Sequence, residues 1–189
     1  MAFVKEVIEI IHSKDVFVGA KDAPVTLMEF GEYENEECAK ANEIVKQLLE
    51  KYEGKIRFNF RHFPLTLIHQ RSMKASESAV AAAQSGKFWE MHNVLFANRR
   101  NLGTVSLKLH SKEAGIKDKK FLDDLVNGTF GWTVQDDLRK GIDKGVKEIP
   151  AFFINDQPLG SKPTFANLCA AIDAALKKTK KKTTDKKRA

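Results

Sequence analysis

The chain predicts an α/β fold in which a strand–helix–strand unit is separated from a closing strand and helix by a long helical block. Three observations carry this. Val25 to Phe30 is a short apolar run bounded by turn signals, then a helical stripe of Ala41, Ile44, Val45, Leu48, Leu49 and Tyr52, then the alternating stretch IRFNFR. Residues 69 to 145 carry no convincing strand pattern. Ala151 to Ile154, AFFI, returns to strand before a last helical pattern over 163 to 176.

Taken in order, Val4, Val7, Ile8 and Ile11 recur at helical spacing and predict an amphipathic helix over residues 1–14. Val16 to Gly19 reads as a short first strand, and Lys21 to Pro24 as a turn. The helix from about 36 to 53 is closed by Gly54. The connection between the two strands flanking it suits a right-handed parallel crossover. SMKASESAVAAAQ is an alanine-rich helix ended by Gly86. KFWEMHNVLFANR places Phe88, Met91, His92, Leu95 and Phe96 on one face. Further helices are predicted around 105–114, 119–127 and 132–144, and NDQPLG is turn-rich.

The 189 residues suit one domain, or one domain with a sizeable insertion, and 42% hydrophobic residues can fill a core. The net charge of +7 does not describe the body. Residues 177–189 hold eight Lys/Arg and one Asp, so the rest is neutral. That tail has no apolar residue but its terminal alanine and is expected to be disordered. It reads first as a solvated extension, with nucleic acid or an anionic surface as the alternative partner. Lys5, Glu6 and Glu9 interrupt the first apolar residues, so no signal peptide is visible and a cytoplasmic protein is expected. No membrane-spanning run occurs. Two distant cysteines and five histidines without ligand spacing give no metal site. Cys169, in FANLCAAIDAAL, is expected to be a small core residue.

The chemistry concentrates at EFGEYENEECAKANE, residues 29 to 43. A strand runs into a helix there, and helix N-termini offer free N–H groups and about half a positive charge. Cysteines at such a point lose protons easily. The single thiol, Cys38, lies one turn into the helix, on the stripe with Ala41, Val45 and Leu49, so it is expected to be buried. Burial and the neighbouring Glu32, Glu34, Glu36 and Glu37 all disfavour a thiolate. Asn35, just before the helix, is a good N-cap.

The stretches APVTLMEFGEYENEECAKAN, RHFPL, GKFWEMHNVLF and GVKEIPAFFIND resemble, in order and spacing, the DsbA-like thioredoxin-fold proteins over about residues 15 to 176. The resemblance implies a discontinuous thioredoxin-like domain over 15–66 and 146–176 with a helical insertion over 67–145. It aligns Asn35 with the attacking cysteine of the family's C-P-x-C motif, Glu36 with its proline and Cys38 with the resolving cysteine. It aligns Glu29 with an acid buried beneath that motif, and Pro150, after Ile149, with a cis-proline that grips substrate peptides. His62 and Trp89 are expected to pack or to face solvent.

An amide cannot attack a disulfide. The resemblance with Asn35 in place therefore implies a redox-degenerate member that binds a peptide, partner or ligand in a groove formed by Asn35, Glu36, Glu37, Ile149 and Pro150. Two alternatives stay open. One is a glutathione-dependent enzyme in which Asn35 orients the glutathione thiol. The other is a monothiol oxidoreductase with Cys38 as the catalytic thiol and Glu29 beneath it.

Overall fold

Val25–Gly31 forms β2 and Ile56–His62 forms β3, both buried along most of their length. Apolar side chains (Val25, Leu27, Met28 and Phe30 on β2, Ile56, Phe58 and Phe60 on β3) fill the buried positions, as a strand with little solvent on either face requires. They pair in parallel, from Val25 opposite Ile56 to Gly31 opposite His62. The crossover between them is α1, Glu36–Lys51. It presents Cys38, Ala41, Val45 and Leu48 to the core. Its last turn is followed by Gly54 at φ 71°, a left-handed position that glycine takes without steric cost.

The computed structural model describes residues 10–186, with side chains through 179. A 3-10 turn, Ser13–Asp15, precedes β1, Val18–Gly19, which pairs antiparallel with β3. β4, Ala151–Ile154, pairs antiparallel with β2, and β5, Gln157–Pro158, pairs with β4. The sheet order is β1-β3-β2-β4-β5. Between β3 and β4 lie five helices: α2 Ser72–Ala83, α3 Phe88–Ala97, α4 Thr104–Glu113, α5 Phe121–Asn127 and α6 Gly131–Asp143. The small residues of α2 are almost all buried and let α3, α5 and α6 approach closely. The chain closes with α7, Phe165–Lys186.

Three expectations change. The helix expected over 1–14 falls, for its first nine residues, outside the described residues. Residues 10–12 are not helical, and only a 3-10 turn follows. The first strand is two residues long rather than four. The basic stretch from 177, expected to be disordered, continues α7 through Lys186. No Gly or Pro interrupts residues 165–186, and lysine is a good helix former. Extending an existing helix also avoids the costly nucleus that an isolated tail would have to form.

The two faces of the sheet carry separate cores. Val25, Leu27, Phe58, Phe60, Phe152 and Ile154 belong to the larger one, with α1, the helical block and α7. Met28, Phe30, Phe63, Val146 and Phe153 form the smaller one beneath α6. There Gly141 is the contact residue: a Cβ on it would lie 2.6 Å from Phe63 Cδ2 and 3.0 Å from Phe30 Cδ1. Alanine in a helix interior is ordinarily better than glycine by about 0.5–1 kcal/mol. Overpacking costs about 1–3 kcal/mol and wins here. Gly141→Ala is therefore expected to destabilise the protein by about 1–2 kcal/mol in urea denaturation, and a raised midpoint would show that α6 can shift away from the sheet.

Candidate functional site at the β2–α1 corner

β2 ends at Gly31, where three groups crowd the space in which a side chain would start. A Cβ on Gly31 would lie 2.9 Å from Glu29 Oε1, 3.0 Å from the Phe60 ring and 3.2 Å from Cys38 Sγ. The acid and the thiol thus converge on one point beneath the strand end. Both are buried, and no hydrogen-bond partner is within reach of Glu29 Oε1 among the described residues. Burial pushes the Glu29 carboxyl well above the usual carboxylate range. Burial, with Glu29 beside it, also pushes the Cys38 thiol well above its ordinary value. Charge on either group opposes charge on the other, so the pair is most stable with both protons in place.

Asn35 caps α1. Its backbone is extended, and its Oδ1 accepts the Cys38 N–H at 3.0 Å. This satisfies one of the orphan donors of the first turn. Glu36 and Glu37 follow and are exposed. Glu36 lies 3.3 Å from Lys40 and 3.0 Å from Arg99, and these cations hold its carboxyl below the usual range. Glu37 meets Lys40 at 2.7 Å.

Glu32 and Glu34 behave differently from the two helix glutamates. Glu32 is fully buried and pairs with His69 Nδ1. Burial raises its pKa, and His69 pulls against that rise. Glu34 Oε2 accepts the Arg71 N–H at 2.8 Å. Together they tie the loop that follows β3 to the corner. That loop carries Leu67 and Ile68, which are 99% and 70% exposed.

The Ile149–Pro150 peptide bond is cis. Phe30 and Ala151 are register partners, so this bond lies at the same end of the sheet as Asn35. Pro150 lines a cleft of about 400 Å³ with Glu148, Ser161 and Pro163. Glu36 lines another, of about 370 Å³, with Lys46, Asn93 and Arg99. Asn35 and Cys38 line neither. Among the described residues, no group of three or more His, Cys, Asp and Glu is placed to hold a metal ion.

Behind the corner, Tyr33 sits inside an aromatic cluster with Phe60, His62, His92 and Phe96. The Tyr33 hydroxyl lies 3.2 Å from His92 Nδ1, and His92 Nε2 lies 3.2 Å from Asn42 Oδ1. An amide oxygen only accepts, so Nε2 carries the proton and Nδ1 accepts from Tyr33. Burial lowers His92 to about 3 and His62 to about 4, which keeps both rings neutral. His62 is a core residue, and Trp89 packs against Phe58, Phe88 and His92, edge-to-face on the last two. Cys169 is buried at the other end of α1, with Lys51 Nζ 3.3 Å from its sulfur.

The residue pattern alone did not reveal the Glu32–His69 pair, the Tyr33–His92–Asn42 chain or the role of Gly31. Strand alternation carried one signal, since Met28, Phe30 and Glu32 share a parity. The partners lie 37 and 59 residues away in sequence, where no local pattern points.

This fold and corner define a thioredoxin-type protein with a helical block between its third and fourth strands. Residues 12–174 match the family model described as Thioredoxin, and the chain belongs to that family. Its fold is shared by solved structures that include a thiol-disulfide exchange protein. Oxidised BdbD from Bacillus subtilis superposes with a TM-score of 0.78 at 22% identity, over 85% of this chain and 92% of that one. The thiol-disulfide exchange protein α-DsbA2 from Wolbachia pipientis gives 0.71 at 22%, over 84% and 85%. The catalytic domain of Proteus mirabilis ScsC gives 0.71 at 22%, over 85% and 88%. By sequence, the Na(+)/H(+) antiporter NhaA 3 of Salinispora tropica is 30% identical over 162 residues, which are 86% of this chain. The chain spans about a quarter of the length of that protein and of NhaA 1 from Salinispora arenicola, which is 30% identical over 167 residues. No helix among the described residues is long and apolar enough to cross a membrane.

The raised pKa of Glu29 has a signed consequence. The unfolded chain loses this proton near pH 4.3, while the folded chain keeps it to higher pH. The unfolded state then binds fewer protons, so stability falls as pH rises from about 4.3 through the raised folded value. Glu29→Gln removes the titration and nearly preserves shape. Urea midpoints of wild type and Glu29→Gln are expected to agree near pH 4 and to separate by pH 7, with the variant more stable. A difference independent of pH would show that the carboxyl is not held neutral.

Proposed function

We propose that this protein is a redox-silent member of the DsbA-like group that binds an extended peptide or protein segment at the β2–α1 corner. Dithiol exchange needs a thiolate to attack a disulfide sulfur and expel the other sulfur, and then a second thiolate to break the mixed disulfide. Asn35 stands where the first would act, and it has no thiol. One observation supports this reading above the rest. Cys38, the one sulfur at the corner, is fully buried over an acid whose charge would oppose its own. Monothiol chemistry at Cys38 meets the same obstacle. The exposed Glu36 and Glu37 also disfavour glutathione, whose two carboxylates would approach like charges.

The binding half of the proposal rests on what stays open at the corner. The cis Ile149–Pro150 bond lies at the same end of the sheet as Asn35. The loop bearing Leu67 and Ile68 is clamped alongside through Glu32 and Glu34. Two large apolar side chains that exposed, on a loop held in place, suit contact with apolar side chains of a partner.

A disulfide reductase assay comparing wild type with Asn35→Cys tests the redox half. Turnover only in the variant is expected, and wild-type turnover at the variant's rate would overturn the reading. Cys38 is expected to resist a thiol reagent until the protein is unfolded. For the binding half, a reduced and carboxamidomethylated polypeptide serves as a permanently unfolded probe. Leu67→Asp, at a position that supports no core, is expected to weaken its binding about fivefold or more. Absence of binding to wild type would remove this half.

A further inference from the structure

The sheet face opposite Glu29 carries Thr26, Met28 and Phe30 on β2, beside Arg57, Asn59 and Arg61 on β3. One end of this face lies beneath α6. The other end opens as a cavity of about 330 Å³, lined by Lys14, Phe17, Thr26, Arg57, Asn59 and Arg61. Met28, Asn155 and Asp156 complete its wall.

The charges around it are unequally answered. Arg61 places Nε and Nη2 at 2.6 and 2.5 Å from Asp137 Oδ1. Asp156, at the rim, pairs with Lys144 at 3.1 Å. Arg57 and Lys14 form no ion pair with a carboxylate among the described residues. Arg57 is nonetheless held firmly. Its Nε donates to Thr26 Oγ1 at 2.9 Å, its Nη1 to the Lys21 carbonyl at 3.4 Å, and its guanidinium lies 4.4 Å over the Phe17 ring. Its Nη2 has no hydrogen-bond partner among the described residues.

A guanidinium cannot shed its charge, and half-burying one without an anion is unfavourable. Fixing it on an aromatic ring and a hydroxyl removes the entropy that a flexible side chain would lose on binding. The free edge of a guanidinium, with a lysine on the wall of the same cavity, matches the oxygens of phosphate or carboxylate. The cavity volume lies at the lower end of small-molecule sites, about 300–1,000 Å³. We propose that this cavity binds a small dianion, a phosphate or a short dicarboxylate, through Arg57 and Lys14. The site lies on the sheet face away from Cys38 and does not depend on the peptide-binding reading.

Calorimetric titration of the whole chain with inorganic phosphate, and separately with malonate, tests this in low-salt buffer free of both. Saturable one-to-one binding of at least one is expected, and the tighter of the two assigns the class. Arg57→Gln is expected to weaken binding about tenfold, the loss of a charged hydrogen bond. Lys14→Gln, at an exposed position, is expected to weaken it about threefold, and it decides the matter should Arg57→Gln fail to fold. No saturable binding of either anion, or binding unchanged by Lys14→Gln, overturns the proposal.

Discussion

At the end of β2 the backbone passes so close to its neighbours that a side chain at residue 31 would displace one of them. Into the space under Gly31 come the Glu29 carboxyl, the Phe60 ring and the Cys38 sulfur. The parallel register of β2 on β3 sets the position of Phe60, and the entry of α1 sets that of Cys38. Once the strand end is fixed, the rest of the corner follows. Asn35 begins the helix at the distance that lets its Oδ1 reach the Cys38 N–H. Glu32 then turns inward to His69 and brings the following loop with it. Dense packing leaves little freedom for any of these groups to move alone.

The electrostatics of the corner act in one direction. A helix N-terminus favours an anion, and an exposed cysteine there would be acidic. In this chain Glu36 and Glu37 complement the dipole at the surface, compensated by Lys40 and Arg99. The buried thiol faces an acid instead of a cation, and desolvation outweighs the dipole. The neutral pair Glu29–Cys38 is what the interior can accommodate, since a bare charge there would cost several kcal/mol.

Much of this was legible in the residues and some was not. Strand periods over VTLMEF, IRFNFR and AFFI and the helical stripes between them are local signals, and the elements formed where those signals lie. The burial of Cys38 followed from its spacing to Ala41 and Val45. The places of Glu29 and Pro150 came through resemblance, because a carboxylate in an apolar run and an X-Pro bond are ambiguous by themselves. Nothing in the sequence set Glu32 apart from the three glutamates after it, yet it is buried, because its partner His69 arrives only when the loop after β3 folds back. Residues 177–186 are helical although basic, because low apolar content argues against a packed core, not against extending a helix already anchored at Leu168 and Ile172.

Asn35 connects these themes. A good N-cap is worth about 1 kcal/mol, and cysteine is not among the side chains that supply one well. A dithiol enzyme keeps a reactive sulfur there and forgoes that stabilisation, in line with the general conflict between active-site chemistry and stability. Each feature of this corner favours stability: an amide cap, surface glutamates matched to the dipole, and a buried thiol beside an acid whose pKa burial raises. The cis Ile149–Pro150 bond and the exposed Leu67–Ile68 loop are part of the same scaffold. Recognition of a partner segment would need only the shape of this corner, and an amide at position 35 caps the helix without altering the path of the backbone into it.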